Sequence, residues 1–117
     1  MSELSREYIP DLVRGNTEVL LLSLIESMQS AHGYQLIKEI SRRSCGLLQF
    51  KEGTIYPTLR KLENEGLVNG EWQVLPGGHK RRLYSITPDG QEVMKRRVAT
   101  WQGVSGAINL ILNPNGA

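Results

Sequence analysis

The chain has 117 residues, a length that suits one compact domain and is short for two. Hydrophobic residues make up 39% of it and charged residues 22%, which excludes a disordered chain and a collagen-like repeat. The 14 basic and 12 acidic residues leave a net charge of +2, too small by itself to indicate a polyanion-binding protein. The single cysteine, Cys45, excludes an intramolecular disulfide and suits a reducing compartment, so we expect a cytoplasmic protein.

Catalytic chemistry has few candidate groups in this sequence. His32 and His79 are the two histidines, and the sequence holds neither a nucleophile–base pair nor a metal-ligand spacing. An enzyme is therefore disfavoured, and no cofactor or metal is expected. The charged N-terminus lacks the apolar stretch of a signal peptide, and the uncharged residues 98–117 are too polar to span a bilayer. We expect no association with a membrane.

Helical patterns begin after an interrupted N-terminal segment. Residues 1–16, broken by a proline and a glycine, are predicted to form an arm or a short helix. Asn16 is placed to cap the next helix, and Glu18 lies where the helix dipole favours an anion. Apolar residues then occupy nearly the whole circumference, which predicts a buried central helix over about 17–29. A second amphipathic helix is predicted over about 34–44.

A third helix carries a narrow apolar stripe. Ile55, Leu59 and Leu62 recur at i, i+4 and i+7, and Gly66 is a C-terminal stop signal. Pro57 is expected close enough to the start of the helix that its missing N–H costs little. The face opposite the stripe, with its flanks, is polar and partly basic: Thr54, Tyr56, Pro57, Arg60, Lys61 and Asn64.

These residue types are the ones that a DNA-recognition helix uses. Arginine bonds bidentately to guanine, asparagine bonds to adenine, and threonine and tyrosine reach phosphates. A helix N-terminus also favours a phosphate. The same face would serve a merely solvated amphipathic helix, so the third helix alone leaves both interpretations open.

A β-hairpin is predicted next, with strands over 71–75 and 80–86 around a Pro-Gly-Gly turn at 76–78. A basic cluster follows its tip: His79, Lys80, Arg81 and Arg82. Such cations attract phosphates or a narrow minor groove, although a charged hairpin edge can also serve to prevent aggregation. Trp72 is predicted to pack against the fold, and Cys45 to be a small packing residue or a redox sensor.

The element order is α-α-α-β-β-α. It predicts a mainly α fold with a small β-hairpin, in the α+β class: a winged helix-turn-helix domain over 17–87 and a long C-terminal helix over 88–112, followed by a tail over 113–117. Residues 76–97 carry six basic and two acidic side chains, whereas residues 1–33 carry two basic and five acidic ones. Positive charge on both the third helix and the hairpin favours DNA binding.

The C-terminal helix carries an apolar seam with alternating spacings of four and three residues. Its members are Met94, Val98, Trp101, Ser105, Ile108 and Leu112, and Val104 and Ile111 widen it. An uncharged helix of this length would be a poor free surface, so a homodimer interface is predicted here. Two-fold symmetry would place two recognition helices about 34 to 36 Å apart on a pseudo-palindromic operator in double-stranded DNA.

The packing of this seam is thin just after Trp101. Gly103 and Gly106 flank Ser105 there, and glycine costs about 1 kcal/mol in a helix interior relative to alanine. The glycines can serve close helix approach, a bend, or space for a planar ligand against Trp101. Trp101 can equally be plain interface core.

Several segments together resemble the PadR family of bacterial transcriptional regulators. They are Arg-Gly-Asn at 14–16, His-Gly-Tyr-Gln-Leu-Ile at 32–37, Gly-Thr-Ile-Tyr-Pro-Thr-Leu at 53–59 continuing into Arg-Lys-Leu-Glu, the Gly-Gly and basic run of the hairpin, and Tyr-Ser-Ile-Thr at 84–87. The similarity covers about residues 12–93 in order and spacing. With one long helix at its C-terminal end, the chain is similar to the short subfamily in which a single C-terminal helix dimerises, including its multidrug-responsive members.

The resemblance implies a winged-helix repressor, and many members of the family are released from DNA by small aromatic molecules. It implies that DNA is contacted by Tyr34, Lys51, Thr54, Tyr56, Pro57, Arg60, Lys61, His79, Lys80 and Arg81. It also implies an effector pocket at the dimer interface, formed by Leu12, Glu18, Val19, Trp101, Val104 and Ser105. The alternative role of Glu18 is stabilisation of the helix dipole in the first turn of the central helix. The alternative function is a winged-helix module that binds a protein partner without a ligand response.

Overall fold

The first helix, α1 (Thr17–Met28), lies at the centre of the fold. Leu21, Leu22 and Ile25 are fully buried, as the nearly continuous apolar pattern predicts. Asn16 occupies the N-cap position, but its side chain makes no capping hydrogen bond. The computed structural model describes Val13 and residues 15–113. Most of the predicted arm over 1–16 and of the tail over 113–117 lies outside the described residues.

The second helix, α2 (Gly33–Arg43), follows a short strand, β1 (Ala31–His32), that the sequence did not reveal. His32 is the N-cap of α2, and its backbone N–H donates to Gln35 Oε1 at 3.0 Å. Two residues are too few to show the alternation by which a strand is predicted. The sequence therefore predicts no strand between the first and second helices.

The predicted hairpin forms, and β1 extends it into a three-stranded antiparallel sheet. After α3 (Glu52–Asn64) come β2 (Val68–Val74) and β3 (Lys80–Ile86), and the strand order is β1-β3-β2. β2 begins three residues before the predicted position 71, because Val68 pairs with Ile86 at the base of the hairpin. The predicted hairpin is confirmed, whereas the third strand of the sheet was not predicted.

The core joins α1, α2 and α3 to the base of the sheet, and these helices together with the sheet form the head of the protein. Apolar side chains of α1, α2 and α3 meet residues of β1, β2 and β3, and the fully buried members with the largest side chains are Leu21, Leu22, Ile25, Leu36, Ile55, Leu59, Leu62 and Val68. This core fixes α3 from one side and leaves its opposite face exposed.

The last helix, α4 (Pro88–Leu112), has the predicted bounds. Thr87 Oγ1 accepts a hydrogen bond from the N–H of Gly90 at 2.9 Å, and Pro88 occupies the first helical position. Val93 and Met94 are partly buried against the core, whereas residues 99–104 and 106–112 are exposed. The helix therefore begins on the head and extends beyond it.

Cys45 lies in the turn that ends α2. Its φ is 55° and it is exposed, so the prediction of a packing residue was wrong. Gly46 follows with φ 80° and closes the turn through its N–H, which donates to the carbonyl of Ser41 at 2.7 Å.

Gly90 is expected to be intolerant of a side chain. A Cβ at this position would overlap the carbonyl oxygen of Leu67, which already accepts from the N–H of Thr87 at 3.0 Å. Gly90→Ala should therefore lower the free energy of unfolding by about 1 to 3 kcal/mol, the usual cost of overpacking. Gly53→Ala, where a Cβ meets open space, is the matched control and should raise it by up to about 1 kcal/mol. Urea unfolding followed by circular dichroism measures both, and equal stabilities would contradict the prediction.

Candidate nucleic-acid interface

The orientation of α3 is set by the predicted apolar stripe. Ile55, Leu59 and Leu62 are fully buried, so the opposite face points outward. Pro57 and Asn64 lie on that face and are exposed. The two flanks of α3 have different neighbours, since Arg60 faces the hairpin and Lys61 faces α1.

A groove separates α3 from the hairpin and has a volume of about 710 Å³. One wall is formed by α3 through Tyr56, Arg60, Glu63 and Asn64, and the hairpin forms the other wall. The start of α2, including Tyr34, closes one end. Of the sequence-predicted DNA contacts, the groove brings together Tyr34, Tyr56, Arg60, Asn64, Lys80 and Arg81.

Close backbone approach fixes the position of Tyr56 in this groove. A Cβ on Gly33 would lie 2.5 Å from Tyr56 Cε1, so the tyrosine ring packs directly on the glycine at the start of α2. Burial raises the pKa of the Tyr56 phenol, and the negative charge of Glu52 adds to the effect. The phenol thus stays protonated and can donate a hydrogen bond to an anionic oxygen.

The N-terminal end of α3 presents Lys51 and Thr54, which are both exposed. Lys51 is the N-cap, and its carbonyl accepts from the N–H groups of Thr54 and Ile55. The positive end of the helix dipole and the lysine charge therefore coincide. Pro57 is the sixth helical residue rather than part of the first turn, so the expectation that its missing N–H costs little was wrong: it deprives the Gly53 carbonyl of its helical partner.

The hairpin tip is a tight glycine turn. Gly77 and Gly78 have φ values of 92° and 89°, which favour glycine, and the N–H of Leu75 donates to the carbonyl of His79 at 2.7 Å. His79 and Lys80 are exposed next to this turn. The tip therefore presents the predicted imidazole and ammonium groups to the outside.

The side chains of the two arginines after Lys80 bind other groups of the protein. Arg81 donates from Nε to Gln73 Oε1 at 2.6 Å, and its Nη1 lies 2.9 Å from His32 Nε2. Burial lowers the pKa of His32, and the charge of Arg81 lowers it further. The ring is therefore kept neutral, and it joins β1 to the hairpin.

Arg82 forms an ion pair with Glu63 on α3 and lies over the ring of Trp72, 5.1 Å from its centroid. The hydrogen bond from Arg82 holds the pKa of the Glu63 carboxyl below its ordinary value. A Cβ on Gly70 would lie 2.6 Å from Arg82 Nε, so the glycine makes room for the pair. This contact ties the hairpin to α3.

Sequence reasoning missed Glu63, Gly70 and Trp72. Trp72 is 67% exposed and lines the groove, so the prediction that it packs was wrong. Pairing the predicted strands would have placed Trp72 opposite Arg82. The strand pairing does not show, however, that the face shared by Trp72 and Arg82 is turned toward α3, because that depends on the tertiary structure.

Lys61 has a partner on the flank of α3 away from the hairpin. Its Nζ donates to Glu18 Oε2 at 2.5 Å, and Arg97 Nη1 of α4 donates to Glu18 Oε1 at 2.7 Å. Glu18 thus contacts two cations, in addition to its place in the first turn of α1. The DNA contact predicted for Lys61 stays a prediction.

The outer part of α4 carries most of the predicted seam. Trp101 is 49% exposed and Ile108 46%, and Leu112 is more exposed still, while Val98 and Ser105 are intermediate. Met94 packs partly against the head core. The exposed apolar side chains continue beyond the seam at Val104, Leu110 and Ile111.

The predicted effector residues are in different environments. Val19 is buried, Glu18 is ion-paired, and Trp101 and Val104 are about half exposed. Leu12 lies outside the described residues. The effector pocket therefore stays a prediction.

Three head helices, a hairpin with an exposed tip and an outward-facing third helix define a winged helix-turn-helix protein. A sequence profile described as "Transcriptional regulator PadR-like family" matches residues 21–96. The chain belongs to this family of transcriptional regulators, which bind DNA and are not a class of enzyme.

Solved structures of regulators share the whole fold. A PadR family transcriptional regulator from Eggerthella lenta is 28% identical, with a TM-score of 0.79 over 93% of this chain and 92% of its own. A PadR-like transcriptional regulator from Bacillus cereus is 29% identical, with a TM-score of 0.73 over 88% and 97%. A relative by sequence comparison is a transcriptional regulator of Mycobacterium tuberculosis. It is 40% identical over 63 residues, which are 54% of this chain and 55% of that protein.

Two other classes of site are missing from the part of the chain that the structure describes. No helix within residues 15–113 is long and apolar enough to cross a membrane. In the same part of the chain, His, Cys, Asp and Glu side chains form no group of three or more that could hold a metal ion.

Proposed function

We propose that the protein is a homodimeric transcriptional repressor that binds a pseudo-palindromic operator. The observation that carries the proposal is the separation of two surfaces. The exposed face of α3 and the hairpin tip carry Lys51, Arg60 and Lys80, whereas the outer half of α4 is uncharged and exposes large apolar side chains. The first surface suits a polyanion, and the second suits another copy of the same helix.

In this proposal, α3 enters the major groove and the hairpin tip lies along the phosphate backbone or the minor groove. Arg60 and Asn64 read base edges, and Tyr34, Thr54, Tyr56 and Pro57 contact the backbone. Lys51, His79, Lys80 and Arg81 supply phosphate contacts, with Arg81 doing so from its position beside Gln73. Binding chromosomal DNA would place the protein in the cytoplasm.

The α4 helices pair across a two-fold axis in the proposed dimer. The residues at the axis would be Val98, Trp101, Ser105, Ile108 and Leu112, with Met94 at the edge of the head. Trp101 of the two protomers would flank space that a planar aromatic effector can enter, with Val104 and Ser105 beside it. Such an effector would release the operator only if it binds the DNA-incompetent arrangement of the dimer more tightly.

Arg60→Ala tests base reading directly. Sites are first selected from random duplex DNA with the wild-type protein, and affinities are then measured by fluorescence anisotropy. Loss of a bidentate base contact should cost about 1 to 3 kcal/mol on the selected site and relax the preference at one position in each half-site. Arg96→Ala removes the same charge from exposed α4 and is the control.

A uniform loss on every duplex would assign Arg60 to a phosphate instead. Equal affinity of the wild-type protein for all sequences would overturn the sequence-specific function. The protein-interaction alternative is supported only if wild-type protein fails to bind duplex DNA.

A further inference from the structure

Glu18 connects α1 to both α3 and α4 through one carboxylate. Its Oε2 accepts from Lys61 of α3 at 2.5 Å, and its Oε1 accepts from Arg97 of α4 at 2.7 Å. The Glu18 side chain is only 19% exposed, although Lys61 and Arg97 are about half exposed. Each oxygen is therefore committed to a different helix.

The electrostatics keep this carboxylate charged. Burial raises the pKa of Glu18, but hydrogen bonds from Arg97 and Lys61 outweigh it and leave the pKa below its ordinary value. The same bond from Glu18 raises the pKa of Lys61. Glu18 and Lys61 are therefore both charged at neutral pH.

The two partner helices carry different parts of the proposed function. α3 holds the candidate base contacts, and Lys61 lies on the flank of α3 that faces away from the groove. Arg97 lies one turn before Trp101, where the exposed apolar part of α4 begins. The carboxylate thus connects the recognition helix to the helix that would meet the partner protomer.

Resting on the proposed dimeric function, we infer that Glu18 is a positioning residue that sets the half-site spacing of the operator. It does so by fixing α3 relative to α4, and hence the separation and rotation of the two recognition helices. One added base pair shifts a half-site by about 3.4 Å and rotates it by about 34°. A loosened junction would tolerate this displacement better than a fixed one.

Lys61 acts in this scheme through Glu18 rather than on DNA. A phosphate contact would contribute to affinity on every duplex and to its salt dependence. A positioning contact instead changes the relative affinities for operators of different spacing. The two roles of Lys61 can therefore be separated by measurement.

The test uses the full chain and operators with the selected spacing or one base pair more or less. Glu18→Gln keeps the size of the side chain and removes its charge. The preference of wild-type protein for the selected spacing should fall by about two- to fivefold in this variant, the range that a partly exposed ion pair supports. Glu26→Gln is the matched control, because Glu26 lies on the same helix and accepts from Gln91 of α4 without contacting α3.

Lys61→Met and Arg97→Met each remove one of the two ion pairs of Glu18. Each should reduce the preference for the selected spacing, as Glu18→Gln does. They also keep the test informative if Glu18→Gln fails to fold. An equal loss of affinity on all spacings, or an unchanged preference in folded variants, would overturn the positioning role of Glu18 and leave the proposed dimeric function intact. Wild-type protein without any spacing preference would overturn the dimeric operator complex and the inference with it.

Discussion

Raising the salt concentration from 50 to 200 mM is expected to weaken operator binding about 10³-fold. The cations Lys51, Lys80 and Arg81, which contact phosphates in the proposed complex, would neutralise three phosphates in each protomer and six in the dimer. Six contacts give a slope of about −5 in a plot of log affinity against log salt. Fluorescence anisotropy with a labelled operator, repeated at four or five salt concentrations, measures this slope.

Single substitutions show which cations produce the slope. Lys51→Ala should reduce its magnitude by about two, because the dimer loses one phosphate contact in each protomer. Arg43→Ala is the control: Arg43 is paired with Glu39 at the C-terminal end of α2, and the slope should stay unchanged. An affinity that is independent of salt in the wild-type protein would contradict the proposed phosphate contacts.

The helices could be predicted from the sequence because each one carries its own pattern. The stripe of Ile55, Leu59 and Leu62 indicated which side of α3 is buried, and the Thr87-Pro88 start signal located α4. These signals are local, so neighbouring residues suffice to interpret them. The strand β1 could not be found in this way, since its two residues become a strand only by pairing with Leu83 and Tyr84.

The candidate interface was predictable in its residue types but not in its pairings. Lys80, Arg81 and Arg82 follow one another in the basic run after the hairpin turn, yet Arg81 and Arg82 bind other protein groups. Glu63 is 19 positions from Arg82, and Glu18 is 43 from Lys61, so neither ion pair has a sequence signature. Two of the predicted DNA contacts therefore also have internal partners. Arg81 joins the hairpin to β1, and Lys61 joins α3 to α1.

Neutralising the whole basic run would therefore be a poor test of DNA binding. Replacing Arg82 leaves Glu63 without its partner and removes the cation over Trp72, which alters the junction between hairpin and α3. Lys80 lacks this complication because it is exposed at the tip of the hairpin. Substitutions at Lys80, Lys51 and Arg60 separate DNA contact from internal structure.

Ile108→Glu is expected to convert the proposed dimer into monomers. Ile108 lies in the middle of the exposed seam of α4 and is 46% exposed in the single chain. Across a two-fold axis the substitution would bring two carboxylates together in an interface that removes water from both, and neither would have a cation to pair with. Operator affinity should then fall by about 10²- to 10⁴-fold, since one protomer no longer holds the other near its half-site.

Size-exclusion chromatography with light scattering measures the oligomeric state, and anisotropy compares duplexes with one or two half-sites. Ala107→Glu introduces the same charge one residue earlier, outside the seam, and should leave both the dimer and the operator affinity intact. The affinity for a single half-site should be unchanged in Ile108→Glu, because α3 and the hairpin are distant from the substitution in the chain and have their own core. A dimer that survives Ile108→Glu would show that the α4 seam is not the interface, and an equal loss on one and two half-sites would show that the substitution damages the head.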